Sequence, residues 1–229
     1  MSNTIANHLE NTLYQISVAA KLAQRDPATI QLLAVSKTKP VSDLVLAYQA
    51  GQRHFGENYV QEGVEKTLAL AHLNDIIWHF IGPIQSNKSK FIAQHFALCH
   101  SIDRLKIAQR LNNQRLPSQA PLQICIQINI DNEASKAGIA PEDLMSIAAE
   151  IEQMEHLTLR GIMAIPKASD DYATQLSSFG RLAALYEQLK TRYPQVDTLS
   201  MGMSGDLNAA IASGSTMVRV GTGIFGKRQ

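Results

Sequence analysis

A chain of 229 residues, 45% apolar and 18% charged, is large enough to bury one hydrophobic core, and 13 Gly and 8 Pro exclude a fibrous or disordered repeat. A formal net charge of +1 with no block of like charge gives non-specific binding to nucleic acid or an anionic membrane no source. Two cysteines, Cys99 and Cys125, are too few for a disulfide framework or a thiolate metal cluster.

The opening MSNTIANHLE lacks the basic and apolar regions of a secretion signal, and no apolar run reaches bilayer length, so a cytoplasmic protein is expected. Ile5, Leu9, Leu13, Ile16 and Ala20 recur at helical spacing and predict an amphipathic helix over 4–24. LLAVSK (32–37) reads as a buried strand, and 40–51 as a helix with Pro40 in its first turn. The order then repeats. RHFGEN (53–58) precedes a helix to 71, DIIWHFIG (75–82) a helix over 88–95, and ALCHSID (97–103) a helix to 116. PLQICIQINI (121–130) precedes a helix over 141–154, and LTLRGIMAIP (157–166) a helix over 172–193. DTLSMGM (197–203), a helix over 207–212 and a last strand segment, TMVRVGTGIFG (216–226), complete the chain.

Alternation of strands and helices forces parallel pairing, because each crossover helix returns the chain to the same end of the sheet. Eight such units predict a single (β/α)8 TIM barrel with an extra N-terminal helix, one domain over 1–229. A doubly wound open sheet shares the pattern, since strand count does not establish closure.

In a barrel of this kind, chemistry collects at the C-terminal ends of the strands. Lys37 ends the first strand, on the face shared by Leu33 and Val35. An amine held against apolar neighbours loses hydration, becomes nucleophilic near neutral pH and suits Schiff-base formation with an aldehyde. A lysine snorkelling out of a strand end is the competing reading. Lys39, next to Pro40, is expected to face solvent. Arg219 lies between Val218 and Val220, where a permanent charge requires a partner. Gly221-Thr222-Gly223 follows it, and Ser204-Gly205-Asp206 follows the seventh strand, where this fold recurrently binds phosphate. Each turn taken singly is equally a capped loop. An amine for an aldehyde, an arginine and a phosphate cup together complement pyridoxal 5′-phosphate, PLP. No ligand spacing suggests a metal.

LLAVSKTKP (32–40), FGENYVQE (55–62), WHFIGPIQSNKSK (78–90), SIDR (101–104), QINID (127–131), RGIMAIP (160–166), LSMGMS (199–204) and GSTMVRVGTGIFG (214–226) span nearly the whole chain. On these motifs the sequence resembles the pyridoxal phosphate homeostasis proteins, single-domain relatives of the N-terminal barrel of alanine racemase. The resemblance implies that Lys37 holds PLP as a Schiff base, that Ser204, Gly221 and Thr222 bind its phosphate, and that Arg219 faces its pyridine nitrogen. It further implies that Asn58, His79, Met163 and Met201 line the pocket. His79 equally reads as a packed strand histidine, and the two methionines as barrel core. Gly223 and Gly205 depart from the family pattern, where alanine or serine and an acidic residue are common, and a looser cup is expected.

An arginine opposite the ring nitrogen does not readily give up a proton, which leaves the ring neutral and disfavours carbanion chemistry. Alanine racemase adds a second base from another domain, and no such domain is expected after the eighth strand here. The resemblance therefore implies a non-catalytic protein of PLP (vitamin B6) homeostasis that holds PLP and delivers it to PLP-dependent apoenzymes; a monomer is expected, although the sequence itself carries no signal of oligomeric state. A weak PLP-dependent amino-acid racemase, with His79 or Tyr59 as second base, is the alternative. A phosphate-sugar barrel enzyme using Lys37 on its substrate is a third class. Lys136, after the fifth strand, is expected at the same barrel face, either as a second amine or as a solvated loop lysine.

Overall fold

The computed structural model describes residues 4–133 and 136–226, so Ala134 and Ser135 of the Lys136 loop, the start of MSNTIANHLE and the end at Gln229 lie outside the described residues. The strands are β1 (Gln31–Val35), β2 (His54–Glu57), β3 (Ile77–Phe80), β4 (Leu98–Ile102), β5 (Leu122–Gln127), β6 (Leu157–Met163), β7 (Thr198–Ser200) and β8 (Met217–Val220). They close in sequence order. Parallel pairing of β1 with β8, from Gln31↔Met217 to Ala34↔Val220, excludes the open sheet. The crossovers are α2 (Val41–Gln49), α3 (Val60–Ala69), α4 (Ser89–His95), α5 (Leu105–Gln114), α6 (Leu144–Glu152), α7 (Tyr172–Arg192) and α8 (Leu207–Ala212).

The extra helix, α1 (Ile5–Leu22), starts on Thr4, whose hydroxyl accepts from the Asn7 N–H at 3.3 Å. Leu9, Ile16, Ala19 and Ala20 form its buried stripe, and it packs on α8 and on a last short helix, α9 (Thr222–Phe225). Arg25, just past its end, donates from Nη1 to the carbonyls of Ile211 and Ser215, both at 2.8 Å, which anchors α1 to the turn after α8.

Period-two alternation sorts the strand residues into two cores. Leu32 and Ala34 of β1, Phe55, Phe80, Ile124, Ile126 and Val218 join the apolar layer beneath the helices. Leu33, on the opposite face of β1, is fully buried outside that layer, and Leu98, Cys125 and Met163 form a separate cluster in the lumen. Each fully buried aliphatic side chain contributes about 1.5–3 kcal/mol, so the outer layer carries most of the apolar stabilisation.

Several segments are shorter than or shifted from the sequence expectation, β6 and β7 among them, and three of these have a local cause. β8 ends at Val220 because the Gly221 carbonyl accepts from the N–H of Ile224 and Phe225, at 3.0 and 2.9 Å, and turns the chain into α9. β5 ends at Gln127 because the Asn129 side chain bonds both the N–H and the carbonyl of Glu133, at 3.1 and 2.9 Å, and closes a loop there. Pro40 has an extended ψ of 155° and precedes α2 rather than forming its first turn. No helix among the described residues is long and apolar enough to cross a membrane.

Candidate functional site

Lys37 follows the end of β1, one residue past Ser36, whose N–H still bonds the Gly56 carbonyl at 3.0 Å. Thr38 then takes a left-handed φ of 63°, an arrangement that needs support from outside the turn. That support is ionic. Lys66 Nζ donates to the Ser36 carbonyl at 2.7 Å, to Glu57 Oε1 at 2.9 Å and to Glu62 Oε1 at 2.6 Å. The Ser36 hydroxyl donates to Glu57 at 2.6 Å, and the Thr38 N–H to Glu62 at 2.5 Å. Glu57 and Lys66 are 0% and 4% exposed, so the residues flanking Lys37 are pinned by a buried ion cluster from β2 and α3. Burial pushes the Glu57 carboxyl above its ordinary range, and the Lys66 cation opposes the shift.

Arg219 points into the lumen beside Leu33, its register partner on β1, and is 4% exposed. Its Nη1 donates to the Ser200 hydroxyl at 2.8 Å and its Nη2 to the Ala164 carbonyl at 3.0 Å. No salt bridge to a carboxylate is formed by Arg219 among the described residues. Burial lowers its pKa to about 10, which still leaves a cation at neutral pH.

Above Arg219 the chain reaches the rim. Val35, Lys37, Lys39, Gly221, Thr222 and Gly226 line one cleft. A Cβ on Gly221 would lie 3.0 Å from the Val35 carbonyl oxygen, and one on Gly223 2.9 Å from Val220 Cγ1, so bare backbone is required along this turn. The same Gly223 position lies 3.7 Å from Ser204 Oγ, which brings the turns after β7 and β8 together. Lys39 is half-buried and donates to the Phe225 carbonyl at 2.9 Å, contrary to the solvent-facing expectation: it ties the Lys37 turn to α9.

The remaining expected residues lie elsewhere. Asn58 is half-buried and lines a neighbouring groove with Tyr59, Gln61, Pro83, Gln85 and Lys88. Met163 lies in the lumen cluster and Met201 in the layer beneath the helices, 1% and 0% exposed. His79 is 1% exposed at mid-barrel, bonded through Nε2 to His54 and through Nδ1 to His100. Burial, and then the neighbouring cationic forms of His100, His54 and Arg160, push its pKa well down. Lys136 pairs with Glu133 at 2.7 Å and donates to the Ile165 carbonyl at 3.3 Å. No group of three or more His, Cys, Asp or Glu that could hold a metal ion occurs among the described residues.

The Glu57–Glu62–Lys66 cluster was not anticipated from the sequence, although Lys66 shares the buried stripe of α3 with Gly63 and Thr67, a signal that a charge there needs a partner. The assembled donors fit a phosphorylated aromatic aldehyde: an amine, bare turn backbone with the Ser204 hydroxyl beside it, and a buried cation without a carboxylate.

Comparison with known proteins bears on this arrangement. The family "Alanine racemase, N-terminal domain" matches residues 8–229. The pyridoxal phosphate homeostasis protein of Vibrio alginolyticus is 53% identical over 229 residues, 99% of this chain and 98% of that protein. The chain belongs to the pyridoxal phosphate homeostasis protein family. The family member from Escherichia coli is also 53% identical, over 99% of this chain and 97% of its own length. PipY of Synechococcus elongatus, solved with PLP bound, is 35% identical with a TM-score of 0.82, covering 97% of this chain and 100% of PipY. Alanine racemase of Clostridium difficile shares the barrel alone, with 16% identity and a TM-score of 0.71 over 95% of this chain and 60% of the racemase.

Proposed function

We propose that this protein binds pyridoxal 5′-phosphate, held covalently through Lys37, and serves intracellular PLP homeostasis and delivery to PLP-dependent apoenzymes without turnover of its own. One observation carries the reading: Lys37 shares a cleft with Gly221 and Thr222 while Arg219 lies two residues below on β8. When bound, the cofactor supplies an electrophilic aldehyde on a conjugated pyridine ring. Lys37 provides the amine for that aldehyde, and Ser204, Gly221 and Thr222 provide hydroxyl and N–H donors for the phosphate. Arg219 has only donors and stays cationic, so it holds the pyridine nitrogen as an acceptor without passing it a proton.

That choice favours carriage over carbanion chemistry. The racemase alternative needs a second base, and the geometry supports neither candidate: both ring nitrogens of His79 are engaged by other histidines, and Tyr59 lines the groove with Asn58, not the Lys37 cleft. The protein is read as a cytoplasmic monomer in which Lys136, paired with Glu133 and bonded to the Ile165 carbonyl, is a structural loop residue.

Two measurements test the proposal together. Protein incubated with PLP and dialysed gains a visible absorption band, and Lys37→Ala does not. Amino acids of both hands, followed by NMR in deuterated water, show no α-proton exchange above the free-cofactor background. Exchange that disappears in Lys37→Ala would replace carriage by the racemase reading, and a visible band retained in Lys37→Ala would overturn the assignment of Lys37.

A further inference from the structure

Five lumen residues from five strands form a continuous file. His54 Nδ1 lies 3.0 Å from His79 Nε2, His79 Nδ1 lies 2.9 Å from His100 Nε2, and His100 Nδ1 lies 2.9 Å from Ser200 Oγ. Ser200 Oγ in turn accepts from Arg219 Nη1 at 2.8 Å. His79, His100 and Ser200 are at most 1% exposed, whereas His54, at the start of β2, is half-buried. The file therefore runs from the floor of the barrel to the guanidinium beneath the rim. Neighbouring rings are tilted by 49° and 48° rather than stacked, as contacts made through ring nitrogens require.

The direction of every hydrogen bond follows from one end. A guanidinium only donates, so the Ser200 oxygen accepts from Arg219; His100 Nδ1 is the one other hydrogen-bond neighbour of that hydroxyl among the described residues, and donating its proton there leaves no buried donor unpaired. A neutral His100 with an accepting Nδ1 carries its proton on Nε2 and donates to His79 Nδ1. The same step makes His79 Nε2 donate to His54 Nδ1, and leaves the last N–H, on His54 Nε2, at the floor. All four bonds point away from Arg219.

We propose that His54, His79, His100 and Ser200 are positioning residues that hold the Arg219 guanidinium by this one-way chain, in place of a carboxylate in direct contact with it. Aligned in this way, each group turns its electron-rich side toward the buried cation, and successive bonds polarise one another. A buried charge without such support is costly. Burial and the Arg219 charge agree with neutral rings, pushing His100 down to about 3. A carboxylate in place of Ser200 would neutralise Arg219, whereas the chain leaves its charge free to attract an acceptor at the rim. The chain itself stands on the described residues; its effect on the cofactor rests on the placement of Arg219 against the pyridine nitrogen proposed above.

The test is two-bond 1H–15N correlation of the histidine rings in 15N-labelled full-length protein without cofactor at neutral pH, with single His→Gln variants for assignment. His54, His79 and His100 are expected as neutral rings protonated on Nε2, each with an accepting Nδ1. A ring protonated on Nδ1, or a cationic His79 or His100, overturns the chain, and this readout needs no variant of the chain's Arg219 end to fold. Ser200→Ala cuts the file at that end; His100 is then expected to populate both tautomers, and an unchanged pure Nε2–H state would show that Arg219 does not set the direction. In the same variant PLP affinity, read from the visible band, should fall about tenfold, the loss of one charge-assisted bond. Ordered tautomers with unchanged affinity would support the chain and overturn the contact of Arg219 with the ring nitrogen, so the two readings fail separately.

Discussion

Two buried cations in this barrel are held in opposite ways. Lys66, 4% exposed beneath the rim, touches two carboxylates, those of Glu57 and Glu62; Arg219, also 4% exposed but in the lumen, touches a hydroxyl and a carbonyl. A cation saturated by carboxylates is a fastener, and Lys66 fastens the turn that carries Lys37. A cation whose direct contacts are all neutral, with Asp206 acting on it only through space, keeps its attraction for an acceptor, which is what a cofactor ring would need from Arg219.

The sharpest way to break the comparison is to remove each cation. Lys66→Met leaves Glu57 buried and unpaired and should cost about 3–5 kcal/mol in denaturant unfolding, most of it recovered by adding Glu57→Leu. Arg219→Met strands only the neutral oxygens of Ser200 and Ala164 and should cost about 1–3 kcal/mol while abolishing tight PLP binding. Equal losses from the two variants would contradict the contrast.

Acidification separates the regions by sign. The folded pKa of His100 is about 3 against 6.5 unfolded, so between these values the unfolded chain binds the extra proton and stability falls as pH falls, by about 1.4 kcal/mol per pH unit. Glu57 works the other way: its folded pKa is raised, so the folded state takes up the proton first, and its contribution, present below the unfolded value of 4.5, is lost as pH rises through the folded one. Urea midpoints across this range should therefore rise less steeply with pH in a His100→Gln variant and more steeply in Glu57→Gln.

The smallest effects belong at the cup. Gly223→Ala brings a methyl within 2.9 Å of Val220 Cγ1 and should lower stability by about 1 kcal/mol, as read from the melting temperature. Gly205→Ala meets nothing within 4 Å and should leave stability within about 0.5 kcal/mol.

Strand and helix alternation made the barrel legible, because each β-segment carries an apolar run and each crossover an amphipathic one. Lys37, Arg219 and the Gly221 turn stood out for the same local reason, a charge or a glycine set in apolar surroundings. What escaped was non-local. Lys39 was misjudged because its acceptor, the Phe225 carbonyl, comes from the far end of the chain. The extent of β8 was overdrawn because Gly221 turns the backbone while Ile224 and Phe225 keep an apolar pattern. His54, His79 and His100 sit on three different strands, and only the registers Gly56↔His79 and His79↔Leu98 bring them into one file.

The seam between β1 and β8 has a temporal side. Lys39 and Phe225 are 186 residues apart, and the cleft is built from both edges of that seam. A ribosome-bound chain shows its Lys37 amine early and gains the Gly221–Thr222 turn only as synthesis of the barrel finishes. If Lys37 and the Gly221–Thr222 turn act as proposed, retention of the cofactor marks a barrel whose last strand has docked.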